Sequence, residues 1–152
     1  MSRGRERNAR ICKDAGMHLS RASEFVRQNH RAVMHTYRRD GQPQLSPVTV
    51  SVDPEGRLIV STRETSVKVR NLRRDPRVSL CVLTERFFGD WIQVDGTATL
   101  LRLPDAMEPL VEYYRSISGE HPDWDDYRQA MVRDQRLLVQ IDVTRVGPDF
   151  HG

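Results

Sequence analysis

Apolar and polar residues alternate along several short stretches of this chain, and elsewhere the apolar positions recur at helical spacing. Ala32–Tyr37 is rich in strand formers, and Asp40-Gly41 follows it as a hairpin signal. Gln44–Val52 alternates through Leu45, Val48, Val50 and Val52. Asp53-Pro54-Glu55-Gly56 reads as a second turn, and Arg57–Thr62 as a third strand. These stretches predict a three-stranded antiparallel meander. Arg77–Leu83, Trp91–Leu101 and Leu137–Val146 supply three more strands, and Gly96 is placed for a bulge or bend. Phe87-Phe88-Gly89-Asp90 joins two of them as a turn.

Helical spacing predicts four helices. Ser20 can cap the first, which runs to Gln28 with Ala22, Phe25 and Val26 inward, and Asn29 ends it. The second spans Ser66–Arg74, with Val67, Val69 and Leu72 as a modest apolar side, and Asp75-Pro76 stops it. Pro104 opens the third, to Ile117, with Met107, Leu110, Val111 and Tyr114 on one face. Asp123 caps the fourth, through Asp134, with Tyr127, Met131 and Trp124 on its apolar side. Six strands with turn-sized or single-helix connections predict a mainly β (α+β) fold, a small antiparallel barrel with flanking helices. No Gly-x-Gly-x-x-Gly fingerprint or Walker A loop is present.

The chain has 152 residues, suited to one domain with its own core. Its net charge of +3 belongs to residues 1–16, where Arg3, Arg5, Arg7, Arg10 and Lys13 outweigh Glu6 and Asp14. The rest is neutral. Residues 1–17 are read as a basic flexible leader and 18–148 as the folded domain. A basic arm can bind nucleic acid non-specifically, but a flexible leader without that role is the preferred reading. Met17 could serve as a start by itself. Charged residues are plentiful and no apolar run reaches the roughly 20 residues of a membrane span. The leader lacks the apolar core of a secretory signal, so a cytoplasmic location is expected. Cys12 and Cys81 form no disulfide framework, and Cys81 is read as a buried small hydrophobe. No Cys/His spacing suggests a metal site. The acids Glu120, Asp123, Asp125 and Asp126 suit a helix N-terminus better than a cation site.

Candidate chemistry concentrates around Lys68, the only lysine outside the leader. A helix start with a lysine in its first turn favours an anion. From charge alone, a solvated basic helix face is the favoured reading. Asn71 lies near Lys68 on the helix surface, and Ser61 and Thr62 end the strand before it. Gln44 and Ser46 share one side of their strand and could hydrogen-bond a flat heterocycle. Trp91 could stack on a ring, close a subunit interface or fill the core. No catalytic nucleophile or acid stands out. No Gly-x-Ser-x-Gly elbow occurs, and His35 and Tyr37 are the proton-donor candidates.

Gly41-Gln42-Pro43-Gln44-Leu45-Ser46-Pro47-Val48, the Asp-Pro-x-Gly turn and Lys68–Val78 together resemble the pyridoxamine-phosphate-oxidase-like split-barrel flavoproteins. The block Tyr114–Arg128 is similar to a helical insert in their deazaflavin branch, which uses coenzyme F420. The resemblance covers about residues 20–146 and implies a six-stranded split barrel. It also implies a homodimer with cofactor sites at the subunit interface. Carried over, Gln44 and Ser46 would face the deazaflavin ring or its side chain. Ser61 and Thr62 would line the phosphate end, and Lys68 would bind the phosphate, with Ser66 and Val67 beside it in the site. Asn71 would support that loop, and Trp91 would pack near the ring or the interface. Close relatives often carry arginine where this chain has Ser66, and a small residue where it has His35. The implied reaction is hydride transfer between F420 and a small unsaturated or quinone-like acceptor. FMN is the alternative cofactor, and a non-enzymatic flavin or deazaflavin carrier is the alternative role.

Overall fold

A computed structural model describes residues 19–151, with side chains through residue 148. The leader, Cys12 and Met17 therefore lie outside the described residues. Helix α1 spans 19–28, so Ser20 sits within the helix and not at its cap. Asn29 closes it as expected, its backbone N–H and its Nδ2 both donating to Phe25 O at 3.0 Å.

The strands are β1 (Arg31–Tyr37), β2 (Pro43–Thr49), β3 (Ser51–Val52), β4 (Leu58–Arg63), β5 (Arg77–Leu83), β6 (Asp90–Leu101) and β7 (Arg136–His151). They form one sheet in the order β2-β1-β5-β6-β7-β4-β3, with every pairing antiparallel. Both antiparallel pairings of the expected meander form, but its middle strand is bent and the three strands do not lie side by side. β2 pairs with β1 and β3 pairs with β4, at opposite edges of the sheet. The predicted strand 44–52 breaks at Val50, which makes seven strands of the expected six. His30 holds that break from both sides. Val50 N–H donates to His30 O at 2.8 Å, and His30 Nδ1 lies 2.9 Å from Val50 O. Because the two edges are successive segments of one bent strand, the sheet must curl into a barrel-like half-shell.

The helices are α2 (Val67–Arg74), α3 (Met107–Ser118) and α4 (Trp124–Arg133). Ser66 caps α2 by accepting from Val69 N–H, and Asp75 ends it in an extended conformation before Pro76. Val67 is exposed and takes no part in the apolar side expected of it, which Val69 and Leu72 supply. Pro104 does not open α3. Residues 103–106 form a turn, with Ala106 N–H bonded to Arg102 O, and the helix starts at Met107. Asp123 caps α4, accepting from Asp126 N–H, which explains one member of the acidic cluster. Glu120 is engaged by Arg115 and by Trp124 Nε1.

The core has two parts. Met34, Val60, Leu80, Val94, Val139 and their neighbours fill the barrel, joined by Ala22 and Val26 of α1. A second cluster, with Ile59, Leu110, Val111 and Leu138, lies between the sheet and the α3–α4 hairpin. β4 and β7 therefore bury side chains on both faces. Gly96 sits at a register shift of the β6–β7 ladder, where a Cβ would lie 2.5 Å from Asp142 O. Cys81 is not in the core. It shares the outward face of β5 with Ser79 and Leu83, while Val78, Leu80 and Val82 point inward. Partial burial still pushes its thiol pKa up.

Candidate functional site

A cleft of about 870 Å³ lies between the α3–α4 hairpin, the β1–β2 pair and the end of β4. Ser61 and Thr62 of β4, Lys68 of α2 and Arg136 of β7 meet in its lining. Lys68 arrives there because α2 begins just after β4, and Thr62 Oγ1 donates to the capping Ser66 Oγ at 3.3 Å. Ser66 thus sets the helix start. Neither Ser66 nor the exposed Val67 is part of the lining.

The lining carries Arg31, Lys68 and Arg136 and, among the described residues, no carboxylate. Burial pushes the Lys68 pKa below its ordinary value, and the neighbouring Arg136 charge pushes it further down. Arg136 Nε is buried without a hydrogen-bond partner among the described residues. Crowded cations lining one cleft favour an anion there. The hydroxyls of Ser61 and Thr62 add groups that can donate to it.

The helical hairpin forms the other wall, through Tyr113, Tyr114, Tyr127 and Met131. Tyr114, His121, Trp124 and Tyr127 form a ring cluster, with centroids 5.1 Å apart for Tyr114–Tyr127 and 5.5 Å for Trp124–Tyr127. It ties α3 to α4. Tyr113 OH donates to Thr49 O at 2.8 Å and fastens α3 to β2. Burial raises the Tyr113 pKa and pushes that of Tyr127 up to about 12, so both phenols stay protonated at neutral pH. Pro47, Val48 and Thr49 of β2 complete this side.

Other expected site residues lie elsewhere. Gln44 and Ser46 share one side of β2, but neither lines the cleft. Gln44 Oε1 accepts from Thr36 Oγ1 at 3.2 Å, and Ser46 Oγ is buried without a partner among the described residues. Asn71 is buried and bonds to Thr36 and Arg74. Trp91 is on the outward face of β6 beside Leu83. His35 and Tyr37 are on the outward face of β1, with ring centroids 4.6 Å apart, and do not line the cleft. Sequence reasoning missed Arg136, Arg31 and Tyr113. Only the pairing of β7 with β4 brings Arg136 here, and no local pattern signals it.

A family model for pyridoxamine 5'-phosphate oxidase matches residues 20–148. The chain belongs to that family. Its members bind flavin-type cofactors and are generally oxidoreductases. Solved structures repeat the fold of this family member. A conserved hypothetical protein from Mycobacterium tuberculosis is 24% identical with a TM-score of 0.71, over 87% of this chain and 83% of that one. An F420 reductase is 17% identical with a TM-score of 0.64, over 82% of this chain and 94% of that one. A heme storage protein from Vibrio cholerae is 15% identical with a TM-score of 0.65, over 88% and 95%. At these identities the likeness is one of fold. The heme storage protein shows that the barrel alone does not define the ligand.

Proposed function

We propose that this family member is an F420-dependent reductase whose cleft holds the cofactor, with its phosphate beside Lys68. The observation that carries the reading is the cleft, without a carboxylate among its described lining residues, in which Lys68 and Arg136 stand with the Ser61 and Thr62 hydroxyls. That donor set fits a phosphate-bearing flavin or deazaflavin. The charge crowding between Lys68 and Arg136 is relieved by an anion placed between them. The resemblance of Tyr114–Arg128 to the helical insert of the deazaflavin branch favours F420 over FMN, which is the alternative.

When bound, the deazaflavin supplies hydride chemistry toward an electron-poor C=C, C=N or quinone-like acceptor. The chain's own residues do the rest. Lys68, Ser61 and Thr62 fix the anionic end. Tyr113, Tyr114, Tyr127 and Met131 present an apolar, aromatic wall that excludes water from one side. No residue is assigned as proton donor.

We further infer a homodimer. The outward face of β2, β1, β5 and β6 presents Leu45, Val33, Cys81, Leu83 and Trp91, and Leu45 is 61% exposed. The turn after β5 exposes Phe87 and Phe88. Val33, Pro47, Thr49 and Leu83 of this face also line the cleft, so the two surfaces are continuous. A second copy seated there would finish the cleft wall.

The test is titration with F420 and with FMN, followed by oxidation of the reduced cofactor against an acceptor panel. F420 binding with turnover supports the reading. Tight FMN binding without F420 binding overturns the cofactor assignment, and tight binding without any turnover favours a carrier.

A further inference from the structure

Arg136 is the first residue of β7, and its backbone is fixed. β7 pairs with β4 in the register Thr62↔Leu137 and Arg63↔Arg136. Glu64 N–H donates to Gln135 O at 2.9 Å, closing the ladder at that end. The strand end that carries Ser61 and Thr62 therefore holds Arg136 against the same cleft. The acid next to the pair, Glu64, is taken by Arg73 at 2.9 Å and by Arg102. No ion pair or hydrogen bond within the protein engages the Arg136 side chain among the described residues.

A guanidinium that lines a cleft with no ion pair is electrostatically costly, and the neighbouring Lys68 ammonium adds repulsion. A fold that keeps both at one cleft gains when an anion joins them. Guanidinium presents a planar fork to phosphate oxygens, whereas Lys68 contributes a point charge. We propose that Arg136 directly binds the phosphate of the cofactor, forming with Lys68 a two-cation clamp that selects phosphorylated over unphosphorylated flavins or deazaflavins. This rests on the reading that the cleft holds such a cofactor.

The test compares wild type, Arg136→Lys and Arg136→Met. Each is titrated with FMN, riboflavin, F420 and the phosphate-free deazaflavin chromophore. Arg136→Met should cut the preference for the phosphorylated form by about tenfold or more, while affinity for the phosphate-free form stays within about twofold. Arg136→Lys, which keeps the charge and loses the fork, should fall between them and decides the matter should the methionine variant not fold. Equal weakening of both forms by these variants overturns the proposal.

A second arm works without any flavin. The chain has two lysines, Lys13 and Lys68, so reductive ¹³C-methylation gives Lys68 its own NMR signal. Inorganic phosphate should shift that signal in wild type and not in Arg136→Met. The same shift in both overturns the role of Arg136. If wild type binds none of the four flavins yet shows an Arg136-dependent phosphate shift, the clamp stands and the cofactor reading falls.

Discussion

Asn71 Nδ2 donates to Thr36 Oγ1 at 3.1 Å, and Thr36 Oγ1 donates onward to Gln44 Oε1 at 3.2 Å. This relay joins α2 to β1 and β2 across the barrel mouth. Arg74 extends it, donating to Asn71 Oδ1 and to Tyr37 O, both at 2.9 Å. The helix that carries Lys68 is therefore positioned by polar groups, two of them buried, Thr36 and Asn71. Thr36→Val keeps the shape but leaves the Asn71 amide and the Gln44 carbonyl unmatched. It should cost about 1–3 kcal/mol in urea unfolding. A loss under about 0.5 kcal/mol would show that the relay contributes little.

Lys68→Ala removes one charge-assisted contact to the proposed phosphate. Cofactor affinity should drop by about 1.5–3 kcal/mol, read by fluorescence titration with F420 and FMN. Unchanged affinity would refute the role of Lys68.

The pH dependence of that binding has a definite sign. Burial, then Arg136, depresses the Lys68 pKa below 10.5 in the free protein, and a bound phosphate raises it again. Affinity should be full below the free-state pKa and should fall as pH rises through it, so the decline begins below pH 10.5. The empty protein shows the complementary effect, with folding stability rising between the depressed pKa and 10.5. Lys68→Arg should keep its affinity to higher pH. Affinity profiles that coincide for wild type and Lys68→Arg would contradict this account.

Gly96 is a packing requirement. A Cβ there meets Asp142 O at 2.5 Å and Ile141 Cγ2 at 2.6 Å, and the first is backbone that cannot swing aside. Gly96→Ala should destabilise by about 1–3 kcal/mol, measured by denaturant midpoint at constant slope.

The proposed dimer can be tested at Leu45, an exposed residue on the outward face of β2. Leu45→Glu should leave the monomer fold intact by circular dichroism and halve the mass in light scattering. A wild-type protein that is monomeric at high concentration would dispose of the interface.

Most strands were legible because inward and outward residues alternate, as Val78, Leu80 and Val82 do against Ser79, Cys81 and Leu83. The break at Val50 was not legible. Val48, Val50 and Val52 keep the alternation going, and only the closing of the sheet makes the strand change partners there. Cys81 was misread because apolar neighbours surround it in sequence while its position in the pleat turns it outward. Within the site, Ser61, Thr62 and Lys68 come from one local strand–helix unit and were readable. Gln44 and Asn71 carry the right polarity for a ligand, but their polar groups are used by Thr36. Arg136 comes from the far end of the chain and needed the β4–β7 ladder to become visible.

β2, the segment before the Val50 bend, lies at an edge of the sheet, and it carries Pro43 and Pro47. Each proline removes a backbone donor, so a foreign strand approaching this border would meet an incomplete ladder. The bent strand thus has a protective consequence. The border best placed to template aggregation is the one least able to hydrogen-bond an intruder, which leaves side-chain contacts on the sheet's outward face as the available route to self-association.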